Sequence, residues 1–344
     1  MESFESYRPY LFAIAYRMLG SAMDAEDLVQ ETYLRYQSTP PETIRSLKAF
    51  LTTILTRLCM DQLQLARRKR EVYVGPWLPE PILTTTTPAS EDPAELVERE
   101  ESISLAFLAL LEELQPFERA VFLLHEVFEY EFAEIATMLD KSEAACRRSF
   151  SRAKLHLREH RPRFGASAET HRQLLSGYFQ AVETGEMAPL MNLLSENVTL
   201  WADGGGKVKG AATRPLTGRE AVARFSVGAR QRFVPPAGSH VEMAVVNGET
   251  ALIIRVGAQA LLVLSIEVEQ GRIQAIRIMA NPEKLKRGLK RNGRRRQGPN
   301  EAGRRCRKDH HPDLASNGWG RNTRFHERGC SGICSSMIYI TGAS

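Results

Sequence analysis

The spacing of apolar residues changes along the chain and divides it into two parts with different secondary structure. Over the first 160 residues, apolar side chains recur three and four positions apart, which predicts amphipathic helices. From Val198 to Met279, short runs rich in Val, Ile and Leu alternate with glycine-containing turns, which predicts strands. Two helices are predicted over 170–195, before the strands, and one over about 218–231, between them. The second part is therefore predicted to be an α+β cone with a curved sheet of about four to six strands.

Prolines and shifts in composition divide the chain further, and the predicted fold class is multidomain. Residues 73–93 hold five prolines and a run of threonines, so this segment is predicted to be an extended or mobile linker. Residues 288–344 are rich in Arg, Gly and Asn and show little periodicity, which predicts a disordered basic tail. The remaining segments are predicted to be domains: an all-α domain over 1–72, an all-α domain with a helix-turn-helix over 94–162, and the α+β cone over 168–287.

The charge of the chain is unevenly distributed. Its formal net charge is +5, from 46 Lys and Arg residues against 41 Asp and Glu residues. Residues 286–344 alone hold 14 of the basic residues and 4 of the acidic ones, so the rest of the chain is net acidic. The overall basic balance is therefore poor evidence for nucleic-acid binding, which has to be argued from local clusters.

Several classes of protein are disfavoured by what the sequence lacks. The five cysteines are odd in number, and Cys330 and Cys334 have no second ligand pair, so no metal site is predicted. No apolar run reaches the length of a membrane span, and the N-terminus lacks the pattern of a signal peptide. No cofactor is predicted either. The expectation is a cytoplasmic protein that does not contact a membrane and is not an enzyme.

Residues 24–36 predict an amphipathic helix with one acidic side. Leu28, Val29 and Tyr33 are expected to face a core. The side chains expected on the other side are Asp24, Glu26, Asp27, Gln30 and Glu31. One interpretation is a solvated face whose acids favour the helix dipole, and the other is a docking surface for a protein partner.

The next long helix ends in a basic cluster. Its apolar stripe faces away from Arg57 and Asp61, and its end is formed by Arg67, Arg68, Lys69 and Arg70. Lys and Arg side chains supply phosphate contacts in nucleic-acid complexes. A basic helix end also favours its own dipole, so both interpretations stay open at this point.

Residues 132–158 predict a helix-turn-helix with a basic outer face. Asp140 and Lys141 form the predicted turn, and Ser142 is a favourable N-cap for the second helix. The stripe expected to be buried on that helix consists of Cys146, Phe150, Ala153 and Leu157. The residues expected to point outward, toward a major groove or its phosphates, are Arg147, Arg148, Ser151, Arg152 and Lys154. Leu155 also points outward, which DNA binding does not explain, and an ordinary helical hairpin is the alternative.

These three segments together resemble the extracytoplasmic-function (ECF) sigma factors. The string Asp24 to Arg35 resembles the second conserved region of that family, residues 57–70 are similar to its promoter-melting and −10-reading segment, and residues 114–157 are similar to its −35-binding domain. The resemblance implies that the acidic side binds core RNA polymerase at the β′ clamp, with the β flap as a further contact, and that the chain binds promoter DNA. The implied −10 contacts are Arg57, Asp61, Gln64, Arg67, Arg68, Lys69 and Arg70. The implied −35 contacts are Ser142, Arg147, Arg148, Ser151, Arg152 and Lys154.

Three short strings narrow the resemblance to the SigJ-like subgroup, which has a fused SnoaL-like (NTF2-like) C-terminal domain. One string lies in the linker and two lie in the cone. Their residues, which the resemblance implies to be regulatory contacts, are Trp77, Leu78, Pro79, Glu80 and Pro81; Asp203, Gly204, Gly205, Gly206 and Lys207; and Asn281, Pro282, Glu283, Lys284 and Leu285. The hypothesis is that the Trp77 segment docks on the cone near the triple glycine, holds the two DNA-binding modules together and controls access to polymerase.

Two alternatives remain at the level of the sequence. Related cones isomerise or hydrolyse small apolar molecules with an Asp–His or Asp–Tyr pair, but no such pair is convincingly spaced around Asp203, His171 and His240. A small ligand of unknown identity could still occupy the cone. The chain could also be a ligand-sensing DNA-binding regulator that does not form a holoenzyme. The preferred hypothesis is a sigma factor that directs promoter-specific transcription initiation under the control of its fused domain.

Overall fold

A computed structural model describes residues 3–84, 104–160 and 167–286, together with Leu289. The described residues belong to one compact unit. Most of the predicted tail, 288–344, and the second half of the predicted linker, 85–93, lie outside them. Among the described helices, none combines the length and the apolarity needed to cross a membrane.

The described helices of the first all-α domain are α1 (Phe4–Leu19), α2 (Ala22–Gln37), a short 3-10 helix (Pro41–Thr43) and α3 (Leu47–Glu71). Gly20 ends α1 in the left-handed conformation, at φ +65°, as its position in the sequence predicts. Ser21 then caps α2, because its side chain accepts a hydrogen bond from the Asp24 amide. The α1–α2 corner therefore consists of only two residues between two long helices.

The second all-α domain carries the predicted helix-turn-helix. Its described elements are α4 (Leu105–Leu111), α5 (Pro116–Phe122) with a π-helical turn at Leu123–Val127, α6 (Phe132–Leu139) and α7 (Glu143–His160). Asp140 ends α6 at φ +52°, and the Ser142 hydroxyl accepts a hydrogen bond from the Ala145 amide at 3.2 Å. The turn and the cap are therefore formed by the residues that the sequence indicates.

The third domain is an α+β cone, which confirms the predicted fold class. Its elements are α8 (Ala168–Thr184), α9 (Met187–Leu193), β1 (Leu194–Asp203), β2 (Leu216–Thr217), α10 (Arg219–Arg232), β3 (Ser239–Val246), β4 (Glu249–Val256), β5 (Gln259–Glu269) and β6 (Arg272–Met279). The six strands form one sheet in the order β2-β1-β6-β5-β4-β3. All neighbours are antiparallel except β1 and β6, which run parallel.

Apolar packing joins the two helical domains and also covers both faces of the sheet. Ile14 and Leu55 of the first domain belong to the same buried cluster as Leu108 and Leu123 of the second. The concave face of the sheet packs on α8 and α10. The residues packed on the other face come from the linker, the start of α4 and the segment after β6: Leu78, Leu105, Leu285 and Leu289.

The prediction that Tyr33 faces a core is wrong. Its side chain is exposed on α2, where its ring lies 4.8 Å from the Phe4 ring. Helical spacing alone places Tyr33 beside Val29, which is fully buried. The apolar stripe of α2 is narrower than the spacing indicates, because α1 covers only part of it.

Candidate functional site

The acidic side of α2 is accessible to a partner. Asp27 and Gln30 are exposed, and Asp24 is half-buried near the start of the helix. Glu26 pairs with Arg8 at 2.7 Å and Glu31 pairs with Arg35 at 3.0 Å, both at the surface. Exposed pairs of this kind are worth about 1 kcal/mol or less, so a partner can replace them at little cost.

The basic face of α3 is partly engaged inside the molecule. The Arg57 Nε donates to the Met138 carbonyl at 2.8 Å, and a second guanidinium nitrogen lies 3.4 Å from the Thr137 carbonyl. Both carbonyls belong to the last turn of α6, where helix carbonyls lack intrahelical donors. Asp61 and Gln64 are exposed on α3. The predicted cluster Arg67, Arg68, Lys69 and Arg70 occupies the last turn of α3, and its side chains lie outside what the structure describes.

The outer face of α7 presents the predicted DNA-binding residues to solvent. Ser142, Arg147, Arg148, Ser151, Arg152 and Lys154 are all exposed. Three of these form surface ion pairs: Arg147 with Glu143 at 2.5 Å, Arg152 with Glu118 at 2.9 Å and Lys154 with Glu126 at 3.0 Å. Leu155 is 61% exposed on the same helix, as its spacing predicts. The face is therefore accessible, although three of its four cations have an acidic neighbour.

The two helical domains meet in what we call the helical contact, the packing of α1 and α3 against α5, the π-helical turn and α6. The Tyr130 hydroxyl bonds the Tyr10 hydroxyl and the Thr52 hydroxyl, each at 3.0 Å. Arg119 is fully buried, and its guanidinium donates to the Met18 carbonyl and to Glu112, both at 2.7 Å. Burial lowers the pKa of Arg119.

A second set of interactions, which we call the linker contact, joins residues 73–84 to the cone and to the α1–α2 corner. At its centre is Asp203, whose side chain is completely buried at the end of β1. Its carboxylate accepts hydrogen bonds from the Tyr73 hydroxyl at 2.5 Å, the Leu78 amide at 2.9 Å and the Lys284 ammonium at 2.7 Å. Burial, together with the bond to Asp203, raises the pKa of Tyr73, so its hydroxyl stays protonated and donates.

Trp77 packs between the corner and the cone. The Lys284 ammonium lies 4.0 Å from the centre of the Trp77 ring and also donates to the Leu78 carbonyl at 2.5 Å. On the α1–α2 corner, a methyl group on Gly20 would lie 2.9 Å from the Trp77 ring. Gly20 therefore meets two requirements, a left-handed backbone and close approach of an indole ring.

The triple glycine lets the loop after β1 lie close to the segment after β6 and to the linker. Gly205 has φ +58°, and a methyl group there would lie 2.3 Å from the Asn281 amide nitrogen. That nitrogen donates to the Tyr73 hydroxyl at 2.8 Å. At the exposed edge, Lys207 forms an ion pair with Glu283. The three predicted strings thus meet in one place, and Leu285 packs beside Leu78 under the sheet.

Glu80 connects the linker to the start of α2. Its carboxylate accepts hydrogen bonds from the Ser21 hydroxyl at 2.9 Å, the Ala22 amide at 2.8 Å and the Met23 amide at 3.1 Å. Burial raises the pKa of Glu80, and the bonds from Met23, Ser21 and Ala22 oppose that rise. A carboxylate at a helix N-terminus satisfies free amides and favours the helix dipole. The linker therefore caps the helix that carries the acidic side.

Asn247 completes the linker contact from the β3–β4 turn. It is fully buried, and its amide nitrogen donates to the Tyr16 hydroxyl at 2.7 Å. Tyr16 in turn donates to the Glu80 carbonyl at 2.6 Å. Asn247 also exchanges two hydrogen bonds with Ile82, each at 3.0 Å. This chain of bonds ties the cone, the linker and α1 together.

Sequence reasoning missed several residues of these contacts. Tyr16 is placed on an apolar helix face, which gives no sign that its hydroxyl has a partner. Asn247 precedes Gly248 in a predicted turn, where Asn is favoured for its backbone alone. Arg119 looks like a surface residue until its burial is known. In each case the partner is remote in sequence.

The alternative of acid–base chemistry in the cone needs an Asp–His or an Asp–Tyr pair, and the described residues pair Asp203 with Tyr73 of the linker at 2.5 Å. Asp203 is buried, and its hydrogen-bond partners among the described residues include no histidine. His171 lies 3.0 Å from the Ile266 carbonyl, and burial lowers its pKa. His240 is exposed at the start of β3. Within the described ranges, no three His, Cys, Asp or Glu side chains are grouped as a metal site would need.

Comparison with known proteins matches both helical parts of the chain to sigma-factor families. The family described as Sigma-70 region 2 matches residues 3–70, and the family described as Sigma-70, region 4 matches residues 104–157. The ECF RNA polymerase sigma factor SigJ of Mycobacterium tuberculosis is 36% identical over 293 residues, which cover 83% of this chain and 93% of that protein. The probable ECF RNA polymerase sigma factor SigI of the same species is 28% identical over 285 residues, covering 82% and 93%. The crystal structure of M. tuberculosis SigJ superposes with a TM-score of 0.63 at 34% identity, covering 82% of this chain and 96% of that chain.

Proposed function

The chain belongs to the ECF RNA polymerase sigma factors, in the SigJ-like subgroup with a fused NTF2-like domain, and from this premise we propose how its parts share the work. As a sigma factor it directs promoter-specific transcription initiation. The acidic side of α2 binds the β′ clamp of core polymerase, and the second helical domain binds the β flap. The exposed face of α7 binds the −35 element, and α3 binds the −10 element. A factor with these partners works in the cytoplasm.

The arrangement with the helical contact formed is a closed state. The names of the two promoter elements place them about 25 base pairs apart, which is about 85 Å along B-DNA at 3.4 Å per base pair. Arg57, proposed to bind the −10 element, is instead bonded to α6 of the helix-turn-helix at 2.8 Å. One molecule cannot hold this bond and span both elements. The bond between Arg57 and Met138 is the observation that carries the proposal, and opening must separate α3 from α6.

The fused domain controls this opening through the linker contact. The cone holds Trp77 and Leu78 through Asp203 and Lys284, and the linker holds the α1–α2 corner through Glu80. Changes in the cone therefore reach the first turn of the polymerase-docking helix without any other protein. A small ligand in the cone would act through the same route.

Substitution of Trp77 tests the proposed control. Trp77→Ala removes the ring between Gly20 and Lys284, and we expect it to change promoter output in run-off transcription with core polymerase and in a reporter strain. Trp77→Phe keeps an aromatic ring under the ammonium and is expected to stay near wild type. Equal output from wild type and Trp77→Ala, in both the basal and the induced state, would contradict control through this contact.

The same preparation separates the sigma factor from a regulator that only binds DNA. Gel filtration of the chain with core polymerase is expected to give a stable complex, and that complex is expected to start transcription from a supercoiled promoter template. A chain that bound promoter DNA but never co-eluted with polymerase would support the regulator instead.

A further inference from the structure

We propose that the cone carries a DNA-binding surface of its own, which contacts the phosphates of the duplex adjoining the −10 element. The proposal rests on the function as a sigma factor and starts from a local charge imbalance. Residues 207–232 contain seven Lys and Arg residues and a single acid, Glu220. The rest of the chain up to residue 285 is net acidic. The segment is therefore an isolated cationic stretch on the fused domain.

Three of its cations are already paired, and three others are available. Lys207 pairs with Glu283, Arg224 with Glu220 and Arg230 with Glu183. Arg219 is half-buried at the start of α10. The remaining cations are exposed, and none has an ion pair within the described part of the chain; we call them the cone cations, Lys209, Arg214 and Arg232. Their charges are free to meet phosphates without breaking an existing pair.

Two of the cone cations, Lys209 and Arg232, lie close together, and Arg214 belongs to the same loop as Lys209. A methyl group on Gly210 would lie 3.5 Å from the Arg232 Nε, so this guanidinium at the end of α10 passes beside the loop that carries Lys209. Arg214 lies five residues after Lys209 in this loop. Two elements distant in sequence thus contribute cations to a common patch.

This patch adjoins the end of α3. A methyl group on Gly75 would lie 3.4 Å from the Ala212 carbonyl oxygen, and one on Gly206 would lie 3.1 Å from the Val74 side chain. The loop of the cone cations therefore packs on the linker directly after α3, which ends at Glu71. Four residues of chain reach at most about 14 Å. The loop of the cone cations therefore lies near the C-terminal end of α3, the helix proposed to bind the −10 element.

Duplex DNA fits this surface better than single-stranded DNA does. A duplex presents one phosphate charge for about every 1.7 Å of its axis, which suits several spaced cations. Proteins that bind single strands stack bases on aromatic side chains, and residues 207–215 include no aromatic residue. The contact is therefore expected to add affinity without reading sequence. It requires the linker contact to persist while promoter DNA is bound.

The test is a charge-removal variant of the full chain, assembled with core polymerase. The test variant combines Lys209→Gln, Arg214→Gln and Arg232→Gln. The control variant combines Arg172→Gln, Arg224→Gln and Arg272→Gln. It removes the same charge, but at exposed positions whose side chains already have a bonded partner. Affinity for a promoter duplex is measured between about 50 and 200 mM salt. We expect the first variant to bind about tenfold more weakly at low salt and its log–log salt slope to be shallower by about 2 to 3.

Two further comparisons keep the outcome interpretable. When the template lacks the duplex next to the −10 element, the two variants are expected to bind it with the same affinity and the same salt dependence. Both variants are expected to bind core polymerase as tightly as wild type. Arg214→Gln alone is expected to reduce the slope by about 1, which covers the case that the triple variant does not fold. Equal slopes for the variant and its control, or a difference that survives removal of the duplex, would overturn the proposal. Neither result would affect assignment as a sigma factor, because polymerase binding is measured separately.

Discussion

The helical contact and the linker contact meet at the same α1–α2 corner, but they are built from different interactions. Across the helical contact, an apolar cluster is accompanied by hydroxyl–hydroxyl bonds at Tyr130 and by bonds from Arg57 and Arg119 to backbone carbonyls. Across the linker contact, buried carboxylates and a buried ammonium exchange most of the bonds. Both contacts therefore include hydrogen bonds to charged groups, which contribute about 1.5–3 kcal/mol each. In the linker contact the charged groups are buried carboxylates that accept from the opposing element.

The difference indicates which contact is suited to open. When the helical contact separates, Arg119 keeps its partner Glu112, because both lie in the second helical domain. When the linker contact separates, Glu80 loses every donor from α2, and the buried Asp203 loses Tyr73 and Leu78. We therefore expect the helical contact to open during initiation while the linker contact stays formed.

The largest expected effect comes from removing the buried cation of the linker contact. Lys284→Met leaves the buried Asp203 carboxylate without its counter-charge, and we expect the free energy of unfolding to fall by about 3–5 kcal/mol. Denaturant titration measures the change. The matched control is Lys207→Gln in the neighbouring exposed pair with Glu283, where a change within about 1 kcal/mol is expected. If both variants lost a similar free energy of unfolding, the buried pair would be no stronger than the exposed pair. That result would contradict the contrast drawn between the linker contact and surface ion pairs.

A smaller effect is expected from the helical contact. Tyr130→Phe removes the hydroxyl that bonds Tyr10 and Thr52, which weakens the closed state by about 1 kcal/mol. A shift of that size is about a fivefold change in an equilibrium constant, so core polymerase should bind up to about fivefold more tightly. Equilibrium binding to labelled core polymerase measures it.

The control for this prediction is a buried tyrosine inside the cone. Tyr178 bonds Ser226 at 2.7 Å, and Tyr178→Phe should cost similar stability with no change in polymerase affinity. If Tyr130→Phe bound polymerase no better than Tyr178→Phe, the helical contact would not be the barrier to opening.

Local patterns were enough to predict the elements, and the contacts between them were not predictable in the same way. Helical spacing, a glycine C-cap and a serine N-cap locate α1, α7 and the turn before α7, because these signals act within one or two helical turns. The linker contact was expected only from a family resemblance. The bond between Tyr16 and Asn247 joins residues 231 positions apart, and nothing in either neighbourhood indicates the other.

Arg57 shows a further limit of sequence reasoning. The family resemblance implies that Arg57 contacts DNA, and the structure places its guanidinium on the carbonyls of α6. DNA phosphates and the carbonyls of α6 both present oxygen acceptors to the Arg57 guanidinium. A pattern of residue types cannot distinguish the two, because a guanidinium binds a carbonyl or a phosphate equally well by type.

Two distances, each measured in its own doubly labelled variant, test the central claim most directly. A spin label at the exposed Arg45, before α3, is paired with one at the exposed Ala133 on α6 and, in a second sample, with one at the exposed Ala258 on the cone. When core polymerase and promoter DNA are added, the distance from Arg45 to Ala133 is expected to lengthen by tens of ångströms, and the distance from Arg45 to Ala258 is expected to stay the same. An Arg45–Ala133 distance that does not change, or an Arg45–Ala258 distance that lengthens with it, would contradict the account.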